Sequence, residues 1–260
     1  MKTMTGPDYF ACGGSVQGTR HIQGSIPCED AWAFENLPGC LVLAVADGLS
    51  SADYGGKGAE AAVTACVREV ARLIKMADDD GEIPVSDIIR DGIASGRSCL
   101  TALAETNGHP LSSYATTLAL VVMKGDCVWC GHIGDGVCAC VFGDDVSVLS
   151  APGNAEYANE TAVLTARTWE KHLRISSGKA DAVLLATDGC QGALIRREEG
   201  GLQPYKPFII PLVKALREYY IEGRDCNAEI CDLLFSDRMR ALSSDDMTLA
   251  AGFSSPGEPV

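Results

Sequence analysis

Helical and strand-like patterns along these 260 residues are sorted into blocks, and that order limits the architectures open to the chain. Short apolar strands are expected at Cys12–Gln17, Asp30–Phe34 and Leu41–Ala46, the last apolar enough to be buried on both faces. After Gly-rich ground from Gly48 to Gly58 comes a helix with Ala59, Val63, Cys66, Val70, Leu73 and Ala77 on one face. A second helix is expected from an N-cap at Ser86, with Ile89, Ile93, Leu100 and Leu103 aligned. Thr116–Met123, Cys127–Ile133 and Val137–Phe142, joined by Lys124-Gly125-Asp126 and Gly134-Asp135-Gly136, predict an antiparallel meander. A surface loop is expected over Ala151–Glu170 and strands at His172–Ile175 and Ala182–Ala186. Two helices around Ile209–Tyr220 and Ala228–Met239 and a final strand at Met247–Ala251 follow. The order β, α-α, β-β-β, β, α-α, β predicts sheets packed on one another with helix pairs outside. One domain over 1–260 is expected, with about 253–260 a loose tail.

Composition excludes several classes. The net charge is −14, from 21 basic and 35 acidic residues, and no stretch is dense in Lys or Arg, so no nucleic-acid partner is expected. The apolar runs fall far short of a bilayer span, and no secretion signal is legible near Met1, so no membrane partner and a cytoplasmic location are expected. A chain this long needs no disulfide staples, so the 12 cysteines read as reduced thiols. Cys127 and Cys130 would point to opposite faces of a strand, which argues against a shared zinc ion.

The chemical signal is one motif repeated. Val45-Ala46-Asp47-Gly48, Ile133-Gly134-Asp135-Gly136 and Ala186-Thr187-Asp188-Gly189 each end an apolar strand with an acid and a glycine. Asp245-Asp246 immediately precedes the last strand. One Asp-Gly is an ordinary turn. Four such acids at one sheet edge would repel unless protonated or neutralised by a cation, and oxygen-only ligands suit Mg2+ or Mn2+ better than zinc. His109 and His132 read as structural, and His172 has no motif around it.

In this order, Gly18-Thr19-Arg20-His21, Cys28-Glu29-Asp30-Ala31, Val45-Ala46-Asp47-Gly48, Ala115-Thr116-Thr117-Leu118, Gly134-Asp135-Gly136, Leu185-Ala186-Thr187-Asp188-Gly189 and Asp245-Asp246-Met247-Thr248 resemble the metal-dependent protein phosphatase 2C (PPM) family, in a bacterial-type branch. The resemblance runs from about Ser15 to Gly252. It implies an α+β fold, an αββα four-layer sandwich with two central antiparallel sheets flanked by helix pairs. It also implies a two-metal centre for Mn2+ or Mg2+, with a third ion in many members. Asp47 would bridge the two metals, Gly48 would offer its carbonyl, and Asp188 and Asp245 would hold one metal. Glu29 would support the other beside Asp30, and Asp135 would join Asp188 at the third. The implied activity is hydrolysis of phosphoserine and phosphothreonine in proteins by metal-activated water, opposite a cognate Ser/Thr kinase, with Asp47 and Asp188 catalytic.

Four departures from the family pattern stand out. Ser25 occupies the spacing of the phosphate-binding Arg, leaving Arg20 and His21 as basic candidates. Leu49 stands where some members carry a His, Asp246 replaces an Asn, and Val137 stands where an Arg is common. Two alternatives stay open: a catalytically weak binding or regulatory module, and a small-molecule phosphohydrolase on the same metals.

Overall fold

The computed structural model describes residues 9–80, 84–152, 161–199 and 201–255. Residues 256–260 of the expected tail and 153–160 of the expected 151–170 loop therefore lie outside the described residues. Strands β1 (Tyr9–Val16), β2 (Asp30–Leu37), β3 (Cys40–Asp47), β4 (Leu118–Lys124), β5 (Cys127–Ile133) and β6 (Val137–Phe142) are joined by β7 (Asp145–Ser150), β8 (Arg174–Lys179), β9 (Ala182–Ala186), β10 (Ile195–Glu198), β11 (Gly201–Pro204) and β12 (Met247–Ser254). Two five-stranded antiparallel sheets form, in orders β1-β12-β9-β6-β7 and β2-β3-β4-β5-β8, while β10 and β11 pair as a separate hairpin. Helix α1 (Thr19–Gly24) lies between β1 and β2, α2 (Gly55–Asp80) and α3 (Val85–Asn107) precede β4, and α4 (Trp169–His172) precedes β8. After β9 come α5 (Gln191–Leu194), α6 (Lys206–Ile221), α7 (Cys226–Phe235) and α8 (Asp237–Arg240).

Three apolar layers hold the sandwich. Val63, Val70, Ile89 and Ile93 of the α2–α3 pair bury against Val42, Leu120 and Val122 of one sheet. Ile209, Val213, Leu216 and Ile230 of α6 and α7 bury against Leu184 and Leu249 of the other. Leu41, Leu43, Val121, Cys130, Val183 and Leu185 fill the space between the sheets. Strands such as β3 are covered on both faces, as their unbroken apolar sequence requires. The expected αββα architecture is the one observed.

Some local expectations need correction. The meander turns only once within a sheet: β5 pairs with β4 and β8, whereas β6 pairs with β7 and β9. Gly134-Asp135-Gly136 therefore carries the chain from one sheet to the other, with Gly134 at φ +119°. Both strands are apolar on both faces, so periodicity alone could not separate a hairpin from a crossing. The expected strand at His172 is a helical turn, and β8 begins two residues later, at Arg174. Helix α3 starts at Val85, so Ser86 lies inside its first turn. The helix expected through Met239 breaks at Ser236, whose hydroxyl caps α8 by accepting from the Met239 N–H. Among the described residues no two cysteines form a disulfide, and Cys127 is half-buried while Cys130 is buried on the opposite face of β5.

Candidate metal centre at the sheet edge

Strand direction brings the acids together. In one sheet β3 and β5 both run antiparallel to β4, so Asp47 and the turn holding Asp135 fall at the same edge. In the other, antiparallel pairing of β9 with β12 sets Asp188, just past the end of β9, near Asp245, just before β12. One carboxylate oxygen from each of Asp47, Asp135 and Asp188 lies within 4.8 Å of the others. Thr161 Oγ1 donates to Asp135 Oδ2 at 3.0 Å. No salt bridge among the described residues ends on any of the three.

Asp30 adds a fourth charge from a direct register position, since it opposes Asp47 across β2 and β3. Like charges placed directly opposite on a strand pair are destabilising. Burial and the neighbouring carboxylates Asp30, Asp188 and Asp135 push Asp47 from 3.8 up to about 10. Burial raises Asp30 to about 7, although Thr187 Oγ1 donates to its Oδ2 at 2.7 Å. Asp188 rises to about 6, through burial and then Asp135 and Asp245, with Arg20 pulling the other way. Burial is also the main cause of the upward shift at Glu29. Asp30 Oδ1 and Asp135 Oδ1 are buried with no hydrogen-bond partner. An all-oxygen cluster with unpartnered buried carboxylate atoms fits a hard divalent cation.

The backbone around the acids is equally constrained. Thr117 Oγ1 accepts from the Asp47 N–H at 3.0 Å, and Thr116 Oγ1 donates to the Asp47 carbonyl at 2.9 Å. A Cβ at Gly48 would stand 2.2 Å from the Gly55 carbonyl carbon, so only glycine lets the loop fold back onto the start of α2.

The remaining candidates sit at the rim or behind it. Arg20 is exposed and bonds Asp245 Oδ2 at 2.5 Å. His21 is buried, its Nδ1 2.8 Å from Asp246 Oδ2 and its Nε2 3.9 Å from Glu29 Oε2. Ser25 is exposed, in the left-handed conformation that ends α1. Sequence assigns no role to Thr117 or Thr187, and Asp246 enters only as a departure from the family's Asn; the Thr-Thr, Thr-Asp-Gly and Asp-Asp-Met-Thr motifs that contain them are the available signal. Next to Glu29 opens a cavity of about 630 Å3, lined in part by Ile26, Pro27, Trp32, Tyr54 and Lys57.

The protein phosphatase 2C family profile matches residues 17–234. The chain belongs to the protein phosphatase 2C family. It is 28% identical over 246 residues to serine/threonine-protein phosphatase 3 of Escherichia coli (strain K12), covering 91% of this chain and 94% of that protein. Serine-threonine phosphatase 2C from Toxoplasma gondii superposes with a TM-score of 0.65 at 13% identity, covering 96% of each chain. The catalytic domain of the serine threonine protein phosphatase PstP, solved in complex with two manganese ions, superposes with a TM-score of 0.54 at 15% identity, covering 94% of this chain and 97% of that one. These solved structures share the two-sheet, helix-flanked fold of the 2C family. Among the described residues no helix is long and apolar enough to cross a membrane.

Proposed function

We propose that the chain is a Mg2+- or Mn2+-dependent phosphatase acting on phosphoserine and phosphothreonine in proteins, with the substrate supplied by a Ser/Thr kinase. The observation that carries this is the convergence of Asp47, Asp135 and Asp188 within 4.8 Å, with no salt bridge among the described residues ending on them. Asp47, the Gly48 carbonyl, Asp188 and Asp245 would hold the ions, with Glu29 and Asp30 on the β2 side and Asp135 toward a third. Bound there, divalent cations supply a nucleophile by lowering the pKa of water and offset charge on the phosphoryl oxygens.

The rest belongs to the protein's own side chains. Arg20, exposed beside Asp245, would exchange that carboxylate for a phosphoryl oxygen of the substrate. Thr116 and Thr117 hold the backbone of Asp47, and Thr187 holds the Asp30 carboxylate, so that little reorientation is needed as charge develops. The cavity beside Glu29 offers an apolar floor of Ile26, Pro27 and Trp32 for residues flanking the phosphorylated one.

The test is hydrolysis of p-nitrophenyl phosphate and of a phosphothreonine peptide with Mn2+, with Mg2+ and with EDTA. Turnover that needs metal and disappears in Asp188→Asn is expected. Metal-independent turnover, or full activity in that variant, overturns the proposal. Nucleotides strongly preferred over phosphopeptides would move the substrate class to small molecules.

A further inference from the structure

Beside the acids at the sheet edge lies a second, buried polar cluster. Asp246 is 3% exposed and His21 4% exposed. Asp246 Oδ1 accepts from the Gly18 N–H at 2.7 Å. Its Oδ2 accepts from the Glu29 N–H at 2.6 Å and meets His21 Nδ1 at 2.8 Å. A carboxylate is an acceptor, so the His21 Nδ1 position carries the hydrogen. One buried side chain thus gathers the residue before α1, the ring on α1 and the residue before β2. It is also the chain neighbour of Asp245. A Cβ at Gly18 would stand 2.2 Å from the Asp245 carbonyl carbon, and one at Gly189 1.9 Å from the Asp246 carbonyl oxygen. The Asp245–Asp246 segment is therefore gripped from both sides, and the carboxylate of Asp246 is its polar anchor.

We infer that His21 is a positioning residue: by donating from Nδ1 to Asp246 it sets Glu29 and Asp245 for a divalent cation, and it does not contact the phosphate. The inference rests on the phosphatase proposal for the ion and its substrate. Burial keeps the ring from solvent, whereas its neighbour Arg20 stands exposed. A buried carboxylate must keep its donors or pay in stability. Without the ring, Asp246 retains two backbone donors, both on chain segments that the ring itself helps to fix. The carboxylate then loses its side-chain donor, and the backbone of Glu29 and of Asp245 is held less firmly.

The test compares His21→Asn, His21→Gln and His21→Ala. Asparagine places its amide nitrogen near the position of Nδ1, whereas glutamine carries it one bond farther. Mn2+ binding to EDTA-stripped protein, read by titration calorimetry, should stay within about threefold of the parent in His21→Asn. It should weaken by about tenfold or more in His21→Gln and His21→Ala. At saturating Mn2+ the KM for a phosphothreonine peptide should stay within about twofold of the parent throughout. Unchanged Mn2+ affinity in all three variants overturns the inference, as does a raised peptide KM with Mn2+ affinity intact, which would make His21 a phosphate ligand. If His21→Ala fails to fold, as circular dichroism would show, the asparagine–glutamine contrast decides. A parent protein without metal-dependent turnover would sink the phosphatase proposal, while the Mn2+ titrations would still judge the placement of His21.

Discussion

On the β2–β3 side of the centre, Asp30 and Asp47 oppose each other across a strand pair, and no salt bridge among the described residues relieves either. On the β12 side, Asp245 is bonded by Arg20 and Asp246 by His21, so the same density of acid arrives with basic partners. The first side is left to protons or to a cation, and burial drives Asp47 up to about 10. The second is organised by side chains of the protein itself. Two neighbouring groups of carboxylates therefore do different work: one supplies unmet charge, the other supplies a fixed frame.

The hardest blow to that contrast is Asp47→Asn. It removes the acid at the centre of the unmet charge, and metal-dependent turnover should fall by about a hundredfold or more, read as kcat/KM on p-nitrophenyl phosphate. Retained turnover would mean that Asp47 is only a strand-end turn. On the framed side, Arg20→Ala should raise the phosphopeptide KM by about tenfold. The same change should leave the melting temperature almost unmoved, because an exposed ion pair contributes about 1 kcal/mol or less. A large loss of stability with KM unchanged would recast Arg20 as structural.

A smaller effect separates the sides by pH. In the folded, metal-free protein Asp188, Asp30 and Asp47 titrate at about 6, 7 and 10 instead of 3.8. Above 3.8 the unfolded chain has released protons that the folded chain still holds, so stability must fall as pH rises toward the folded values. The contribution of these groups is complete below the unfolded value and erodes upward from it. Melting in EDTA should therefore drop between about pH 5 and about pH 8, and Mn2+ should flatten the slope. A metal-free melting temperature that rises over that window would contradict the unmet-charge side. The subtlest expectation is for Asp30→Asn, which removes the opposed charge: metal-free protein should melt a few degrees higher while binding Mn2+ more weakly. Equal weakening of both properties would mean that Asp30 serves packing.

Much of this centre was legible from strand ends. An apolar run closing on Asp-Gly marks both the edge of a sheet and the residue at its tip, which is how Asp47, Asp135 and Asp188 stood out. Block order foretold the layers because each amphipathic helix must bury one face. The path between the layers was not legible. Val137–Phe142 is apolar on both faces, so nothing local said that it leaves the sheet of Cys127–Ile133. Short elements such as α1, α4 and the β10–β11 hairpin offer too few residues for a period. The role of Asp246 was hidden for another reason: its three donors come from Gly18, His21 and Glu29, more than two hundred positions away.

The crossing at Gly134-Asp135-Gly136 carries a mechanical consequence. Asp47 belongs to one sheet, Asp188 follows a strand of the other, and Asp135 sits on the seam between them. Whatever binds all three is riveted through both layers at once. A slip of one sheet past the other by a single residue, about 3.3 Å, would pull the acids apart while leaving each sheet intact. On the proposed reading, cation affinity would gauge how truly the two halves are aligned, and substitutions deep in the layer between the sheets should register at the rim as a change in that affinity.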